Sequence, residues 1–320
     1  MKLIIQIPCY NEAEVLPTTL AQLPRELPGI SRIEWLVIDD GSTDGTAEVA
    51  RAAGVDHVVR FPHNRGLARA FVAGLDAAVS HGADLIVNTD ADNQYPADEI
   101  PRLIEPILAG RADFVIGARR ISEIEHFSSG KKLLQRLGSR VVRAASGTAV
   151  PDGPSGFRAM TRDAALRMNV FGSYTYTLET IIQAGHGDLT IESVSIRTNG
   201  YARPSRLIPS VSSYVRRSAA TIFRIFLLYR PFRVFMLLGS VPIAAGLALF
   251  LRWILLYLLV DPTRSRAPSL IAGAVLVMIG FQLWTFALIA DLLAANRRLL
   301  EDVQRRVRGL ELPSQDRPRS

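Results

Sequence analysis

The chain has 320 residues, 48% of them hydrophobic, with a formal net charge of +7. A single cysteine, Cys9, excludes an internal disulfide framework and a cysteine-rich zinc site, and the 5 histidines show no ligand spacing. The excess charge lies mostly in arginines flanking apolar segments, with no basic stripe interleaved with aromatics. It therefore reads as attraction to a lipid surface, not as a nucleic-acid footprint.

Lys2 opens a short apolar run that stops at Asn11-Glu12 without a small-residue cleavage site, which argues against a signal peptide. Short β-branched runs then alternate with helix-period segments. Strands are expected at 3–7, 34–38, 57–61, 85–88 and 114–117, and helices near 14–24, 45–54, 66–80 and 97–109. This alternation predicts an α/β fold, a mostly parallel sheet with helices on both faces. In such sheets ligands sit beyond the carboxyl ends of the strands. Polar clusters fall at those ends: Pro8-Cys9-Tyr10-Asn11-Glu12, Asp39-Asp40-Gly41-Ser42-Thr43-Asp44-Gly45-Thr46 and Asp90-Ala91-Asp92-Asn93-Gln94. Neither G-x-G-x-x-G nor a Walker A sequence is present, which excludes a dinucleotide dehydrogenase and a P-loop enzyme.

Two carboxylates two residues apart cannot share one face of a strand, but a loop can turn Asp90 and Asp92 toward one hard cation. Oxygen ligands of this kind suit Mg2+ or Mn2+, and Gln94 can add a neutral oxygen. A solvated Asx turn is the alternative for an isolated D-x-D. In the second cluster, residues 42–44 are good turn and N-cap material. Asp39 ends its strand and is expected to face the crevice, where a carboxylate can accept from a base N–H or a ribose hydroxyl. Asn64-Arg65-Gly66 is expected to cap the next helix, leaving Arg65 and Arg69 to approach phosphate. Arg119, ending the fifth strand, is expected beside the Asp90 loop.

Residues 130–145 carry Lys131, Lys132, Arg136, Arg140 and Arg143 at helical spacing. They form either an amphipathic surface helix or one on which Arg136 and Ser139, a turn apart, meet a lipid phosphate. Glu179 reads from its own surroundings as a plain helix-surface glutamate; the family resemblance given below implies, as the alternative, a base or an acceptor-contacting acid. Residues 207–229 mix apolar side chains with Arg216, Arg217 and Arg224, the pattern of interfacial helices. Residues 234–260 are apolar apart from Arg252, and 269–293 apart from Gln282 and Asp291. Each can span a hydrocarbon core of about 30 Å, and soluble helices rarely run apolar so long. Arg216, Arg217, Arg224, Arg230 and Arg233 precede the first span, and Arg297, Arg298, Arg305, Arg306 and Arg308 follow the second. The connecting loop has only Arg264 and Arg266. The positive-inside rule then predicts a multi-pass protein of the plasma (inner) membrane with its sheet domain in the cytoplasm. The predicted organisation is a catalytic domain over 1–206, juxtamembrane helices over 207–233, a transmembrane hairpin over 234–293 and a basic tail over 294–320.

Together the strand-end clusters, with Asn64-x-Gly66, resemble the family 2 glycosyltransferases of GT-A fold. More narrowly they are similar to the dolichyl-phosphate mannose synthase and polyprenyl-phosphate glycosyltransferase branch. The resemblance continues through Gly117-Ala118-Arg119, Asp152-Gly153-Pro154-Ser155-Gly156-Phe157-Arg158 and the two apolar spans. It implies a donor site on Pro8, Tyr10, Asn11, Glu12, Asp39, Asp40, Asp90 and Ala91. It implies Mg2+ or Mn2+ and the donor diphosphate on Asp90, Asp92 and Gln94. The acceptor phosphate falls to Arg119, joined by Arg136 and Ser139 and by Arg203 and Arg206 of a basic loop that closes over the site. Asp92, Arg119 and Asp152 become the catalytic residues, Asp152 serving as an acid/base unless it orders Arg158 and its loop.

The implied reaction is inverting transfer of a single sugar from a nucleotide-diphosphate sugar to a polyprenyl phosphate. A UDP-sugar is preferred over GDP-mannose, because the Pro-Cys-Tyr-Asn-Glu variant resembles the glucose-transferring branch. The partners are then the donor, the lipid acceptor and the bilayer, without nucleic acid, and self-association through the membrane helices stays open. Two other readings are a non-catalytic membrane scaffold with a glycosyltransferase shell and a nucleotidyltransferase. Complete donor and metal motifs argue against the first, and a lipid-facing C-terminus against the second.

Overall fold

Residues 3–9 are all buried in β1 (Lys2–Cys9), an apolar and β-branched run covered on both faces, as a central parallel strand must be. The computed structural model describes residues 1–119, 150–168, 170, 176–186, 189–199, 227, 231–259 and 267–311. After β1 come α1 (Leu16–Gln22), β2 (Arg32–Asp39), α2 (Thr46–Ala52), β3 (His57–Arg60), α3 (Leu67–Ser80) and β4 (Leu85–Asn88). A 3-10 turn (Ala97–Glu99) leads into α4 (Ile100–Leu108), then β5 (Phe114–Arg119), β6 (Arg158–Thr161), α5 (Arg162–Arg167), α6 (Thr177–His186) and β7 (Ile191–Ile196). The seven strands form one mixed sheet in the order β3-β2-β1-β4-β6-β5-β7.

Alternate side chains feed two apolar cores. Leu3, Ile5 and Ile7 join Trp35, Val37 and Val87 beneath Leu16 and Leu20 of α1 and Leu103 of α4. Ile4 joins Leu36, Ile38 and Ile86 on the opposite face, under Phe71 and Leu75 of α3 and Ile181 of α6. Burying each such side chain stabilises the fold by roughly 1.5–3 kcal/mol. With both faces apolar, register needs a polar marker. Gln6 supplies it: it lies opposite Asn88, and its Nε2 donates to Asn88 Oδ1 at 2.8 Å. A slip of one residue would strand both buried amides.

The sequence order places β5 beside β4, and there the structure differs. β6 lies between them, antiparallel to both, because the chain re-enters the sheet from the end where β4 and β5 finish. The segment 152–157 is thereby inserted between the ends of those two strands. β6, α5, α6 and β7 were not among the elements expected.

The chain divides into two units, Met1–Ser218 with Glu301–Ser320, and Ala219–Leu300. The second holds α7 (Pro231–Leu259) and most of α8 (Ala267–Glu311), both long and apolar enough to cross a membrane. The helices meet through glycines. A Cβ at Gly239 would lie 2.7 Å from the Gly280 carbonyl oxygen, and one at Gly246 2.7 Å from that of Gly273. Small residues that admit a neighbouring backbone are what membrane helix pairs use, because lipid supplies no hydrophobic drive between them. Leu237, Leu251, Leu258, Ile271, Phe281 and Leu292 point outward, an apolar surface unsuited to water.

The last turns of α8 belong to the first unit. Within the basic segment that follows the second span, Arg305 Nη2 meets Asp163 Oδ1 at 2.7 Å, and Arg308 pairs with Asp76 and donates to the Met168 carbonyl at 2.8 Å, so these two arginines are tied to the sheet domain.

Candidate active site

The loops leaving β1 and β2 are joined by hydrogen bonds. Asn11, held at φ +54°, donates its N–H to Ser42 Oγ at 2.9 Å and accepts from Thr43 N–H on Oδ1 at 2.9 Å. Glu12 N–H donates to Thr46 Oγ1 at 2.9 Å and Ala13 N–H to Asp44 Oδ2 at 3.0 Å. Pro8 is buried at the end of β1, whereas Tyr10 just beyond it is 45% exposed. Asp39 is fully buried: Oδ1 accepts from Ser42 N–H at 2.9 Å and Oδ2 lies 3.2 Å from Arg60 Nε.

Asp40 performs the capping expected of Asn64. Its two oxygens accept from Arg65 N–H at 2.7 Å and Gly66 N–H at 2.9 Å, at the start of α3. Burial pushes its carboxyl above the usual range, against the pull of those two bonds. Arg65 and Arg69 are exposed at the same helix start.

After β4 the chain turns through Asn93 at φ +57°, and Asp92 Oδ1 accepts from Gln94 N–H at 3.0 Å, so an Asx turn is present. Asp90 stands outside it. Burial, and next the charge of Asp92, push its carboxyl up to about 7, while Arg119 and Arg158 pull the other way. No hydrogen bond reaches the Asp90 carboxylate among the described residues. Two carboxylates two residues apart, in which the charge of Asp92 raises the cost of ionising Asp90 and Asp90 lacks a donor among the described residues, fit a hard divalent cation. Among the described residues no three His, Cys, Asp or Glu side chains gather to hold an ion alone. That suits Mg2+ or Mn2+, for which one or two carboxylates plus substrate phosphates are the usual set.

The inserted segment 152–157 closes the site from the other side. Asp152, fully buried, takes Arg119 Nε on Oδ2 at 2.7 Å and Nη2 on Oδ1 at 3.1 Å, and Arg119 N–H on Oδ2 at 3.1 Å. Its direct partner is therefore Arg119. Arg158, also fully buried, contacts no carboxylate among the described residues. It donates to the carbonyls of Ser155 at 2.8 Å, Gly153 at 3.0 Å and Thr177 at 2.8 Å, and to Thr180 Oγ1. Burial lowers its pKa to about 10, so it stays cationic at neutral pH.

Several residues that shape this site carry no sequence signal of their own. Asn88 Nδ2 donates to the Gly156 carbonyl at 2.8 Å and to Tyr176 Oη at 2.9 Å, fixing the inserted segment against β4. Gly156 N–H donates to Tyr95 Oη at 3.2 Å, and the Tyr95 ring stacks on Phe157 at 5.1 Å. A polar pair at a strand end, Asn88-Thr89, was the one available hint. Glu179, read as either a site or a surface residue, is 8% exposed within α6. Arg136, Ser139, Arg203 and Arg206 lie outside the described residues, as do residues 207–226 of the expected interfacial helices.

The profile of the family described as "Glycosyl transferase family 2" matches residues 4–167, half of the chain. An undecaprenyl-phosphate mannosyltransferase of Micrococcus luteus is 33% identical over 169 residues, covering 51% of this chain and 68% of that protein. An undecaprenyl-phosphate 4-deoxy-4-formamido-L-arabinose transferase of Salmonella choleraesuis is 29% identical over 318 residues, covering 96% of this chain and 91% of that one. Among solved structures, glucosyl-3-phosphoglycerate synthase from Mycobacterium tuberculosis, in complex with Mn2+, UDP and glucosyl-3-phosphoglycerate, superposes with a TM-score of 0.55. It is 19% identical, over 71% of this chain and 78% of that one, a likeness of fold alone.

Proposed function

Since the chain belongs to glycosyl transferase family 2, we propose that it moves one sugar from a nucleotide-diphosphate donor to a polyprenyl phosphate at a membrane surface. The observation that carries this reading is the gathering of Asp90 and Asp92 after β4 with the Arg119–Asp152 pair and the buried Arg158, whose charges reach Asp90, in a chain with two membrane-length helices. Relatives named for undecaprenyl-phosphate transfer support the acceptor class. Their named sugars differ, so the sugar here is open, and a UDP-linked donor remains the preferred reading.

Asp90 and Asp92, with Gln94 beside them, would hold Mg2+ or Mn2+. The ion supplies Lewis-acid neutralisation of charge on the departing nucleoside diphosphate. Asn11, Glu12, Asp39 and Asp40 form the two joined loops that would seat the nucleoside, with Tyr10 at the rim. The nucleophile is a phosphate oxygen of the lipid. It bonds to the anomeric carbon as the bond from that carbon to the diphosphate oxygen breaks, the electron pair leaving with the nucleoside diphosphate. A single displacement inverts the anomeric configuration.

A phosphate monoester has a second pKa near ~6 and is already mostly dianionic at neutral pH, so no strong base is needed. The carboxylate of Asp152 is taken up by three N–H groups of Arg119. It acts as the residue that aims Arg119 at the acceptor phosphate, in preference to an acid/base role. Arg158 adds fixed positive charge that needs no reorganisation during reaction. The arginine flanks of the spans favour a cytoplasmic location for this chemistry.

Incubating the purified protein with undecaprenyl phosphate and a panel of UDP- and GDP-sugars tests the reading. One donor should yield a lipid-linked sugar whose anomeric signal by NMR is opposite to the donor's. Failure of every donor to label the lipid contradicts the proposal, and retention of configuration contradicts the single displacement.

A further inference from the structure

We propose that Asn199 is a positioning residue for the cation loop; the inference rests on the reading of Asp90 and Asp92 given above. The carbonyls of that loop are held from outside it. Thr19 Oγ1 donates to the Ala91 carbonyl at 2.7 Å from one side. On the other side Asn199 takes two consecutive carbonyls, its Nδ2 donating to Asn93 O at 2.9 Å and its N–H to Gln94 O at 2.9 Å.

These bonds form a chain that ends on a cation ligand. The side-chain amide of Asn199 holds the Asn93 carbonyl, and the N–H of that same peptide group, Gln94 N–H, in turn fixes Asp92 Oδ1 at 3.0 Å. That carbonyl belongs to Asn93, the residue held at φ +57°, a left-handed conformation uncommon outside glycine that asparagine adopts more readily than most. Asn199 is itself anchored. Two residues earlier, Arg197 reaches Glu99 Oε1 through Nε at 2.6 Å and Asp98 Oδ2 through Nη2 at 2.6 Å. The segment leaving β7 is thus strapped along the outer side of the Asp90 loop and the turn that follows it. Removing the amide frees the left-handed turn to relax and lets the Asp92 carboxylate rotate. The two bonds of Asn199 go to the loop backbone and not to the Asp90 or Asp92 carboxylates, so its effect should appear in cation affinity.

The test is a Mn2+ titration of the full-length protein in detergent with saturating UDP, corrected against a UDP blank, with free ion followed by electron paramagnetic resonance. Wild type, Asn199→Ala, Asn199→Leu and Asp92→Asn are compared, together with their thermal unfolding midpoints. Leucine keeps the branched shape of asparagine, with somewhat more volume, and removes the polar amide. Both Asn199 variants should bind Mn2+ about 5–10-fold more weakly, the worth of one hydrogen bond, with midpoints shifted by less than about 3 °C. Wild-type affinity in Asn199→Leu overturns the inference while leaving the cation site intact. Wild type that binds Mn2+ no better than Asp92→Asn overturns the site itself, and the inference with it.

Discussion

A Cβ on Gly156 would stand 2.9 Å from both carboxylate oxygens of Asp90, so the inserted segment and the end of β4 touch at this point. The inserted segment cannot yield easily, because Gly156 is bonded through its carbonyl to Asn88 and through its N–H to Tyr95, whereas no donor among the described residues holds the Asp90 carboxylate. Gly156→Ala should therefore displace Asp90. We expect a destabilisation of about 1–3 kcal/mol, as for other overpacked sites. Sugar transfer should fall at least ~10-fold, since small misplacements of reacting groups are costly. Initial rates beside a denaturant titration would check both, and an active, equally stable variant would refute the contact.

Arg119 and Asp152 form a pair whose side chains are 10% and 1% exposed. Removing either partner leaves a buried charge, so Arg119→Ala and Asp152→Ala should each cost about 3–5 kcal/mol, and the double variant less than their sum. Asp152→Asn keeps the shape while weakening the aim of Arg119. It should raise the KM for lipid phosphate about 10-fold and leave donor affinity nearly unchanged. A calorimetric donor titration beside acceptor-dependent rates separates the two. A lost donor affinity would move Arg119 to the diphosphate site.

At the opposite end of the sheet, His81 stacks on His57 with ring centroids 3.6 Å apart, and His57 Nε2 meets Glu34 Oε2 at 2.8 Å. Burial, then the neighbouring His57, hold the His81 pKa below its ordinary 6.5. The unfolded chain then binds that proton more readily than the folded one. Stability from this group is complete above about pH 6.5 and is lost as pH falls toward the folded value. Glu34 adds a loss of the same sign at lower pH: despite the upward push of burial, His57 and Lys2 hold its pKa below the ordinary 4.5. The unfolding midpoint should drop between about pH 7.5 and 5.5. His81→Phe, which keeps a ring against His57, should reduce that drop; an identical slope in the variant would assign it elsewhere.

Arg308 and Asp76 join the last turns of α8 to α3. Arg308→Glu should destabilise the first unit by about 1–3 kcal/mol, less than a fully buried pair because the Asp76 side chain is 41% exposed. Adding Asp76→Arg should recover most of that loss in thermal melts. Absence of recovery would show that the contribution of Arg308 comes from its bond to the Met168 carbonyl.

The parallel half of the sheet was legible because each strand is a short apolar run ending in a polar cluster, and 85–88 matches β4 residue for residue. β6 was not legible. Its four residues, Arg158-Ala159-Met160-Thr161, begin with a charge that reads as loop. Arg158 is tolerated in the interior only because distant carbonyls at Gly153, Ser155 and Thr177 converge on it. Arg119 is expected beside the Asp90 loop from strand order alone; its charge does reach Asp90, although β6 stands between β4 and β5. Asp40 shows the opposite limit: its motif names a donor-site residue, yet its oxygens cap the turn at Arg65 and Gly66, a partnership between segments that no local pattern announces.

The most direct test of the central claim is nucleoside diphosphate release by purified protein as undecaprenyl phosphate is added, with undecaprenol and EDTA as the two controls. Release should saturate with the phosphorylated lipid and stay at background with the alcohol. It should fall about 100-fold or more in EDTA or in Asp92→Asn, the loss of one charge interaction in the transition state. Equal release without lipid phosphate, or undiminished turnover in EDTA, would contradict a cation-assisted transfer to polyprenyl phosphate.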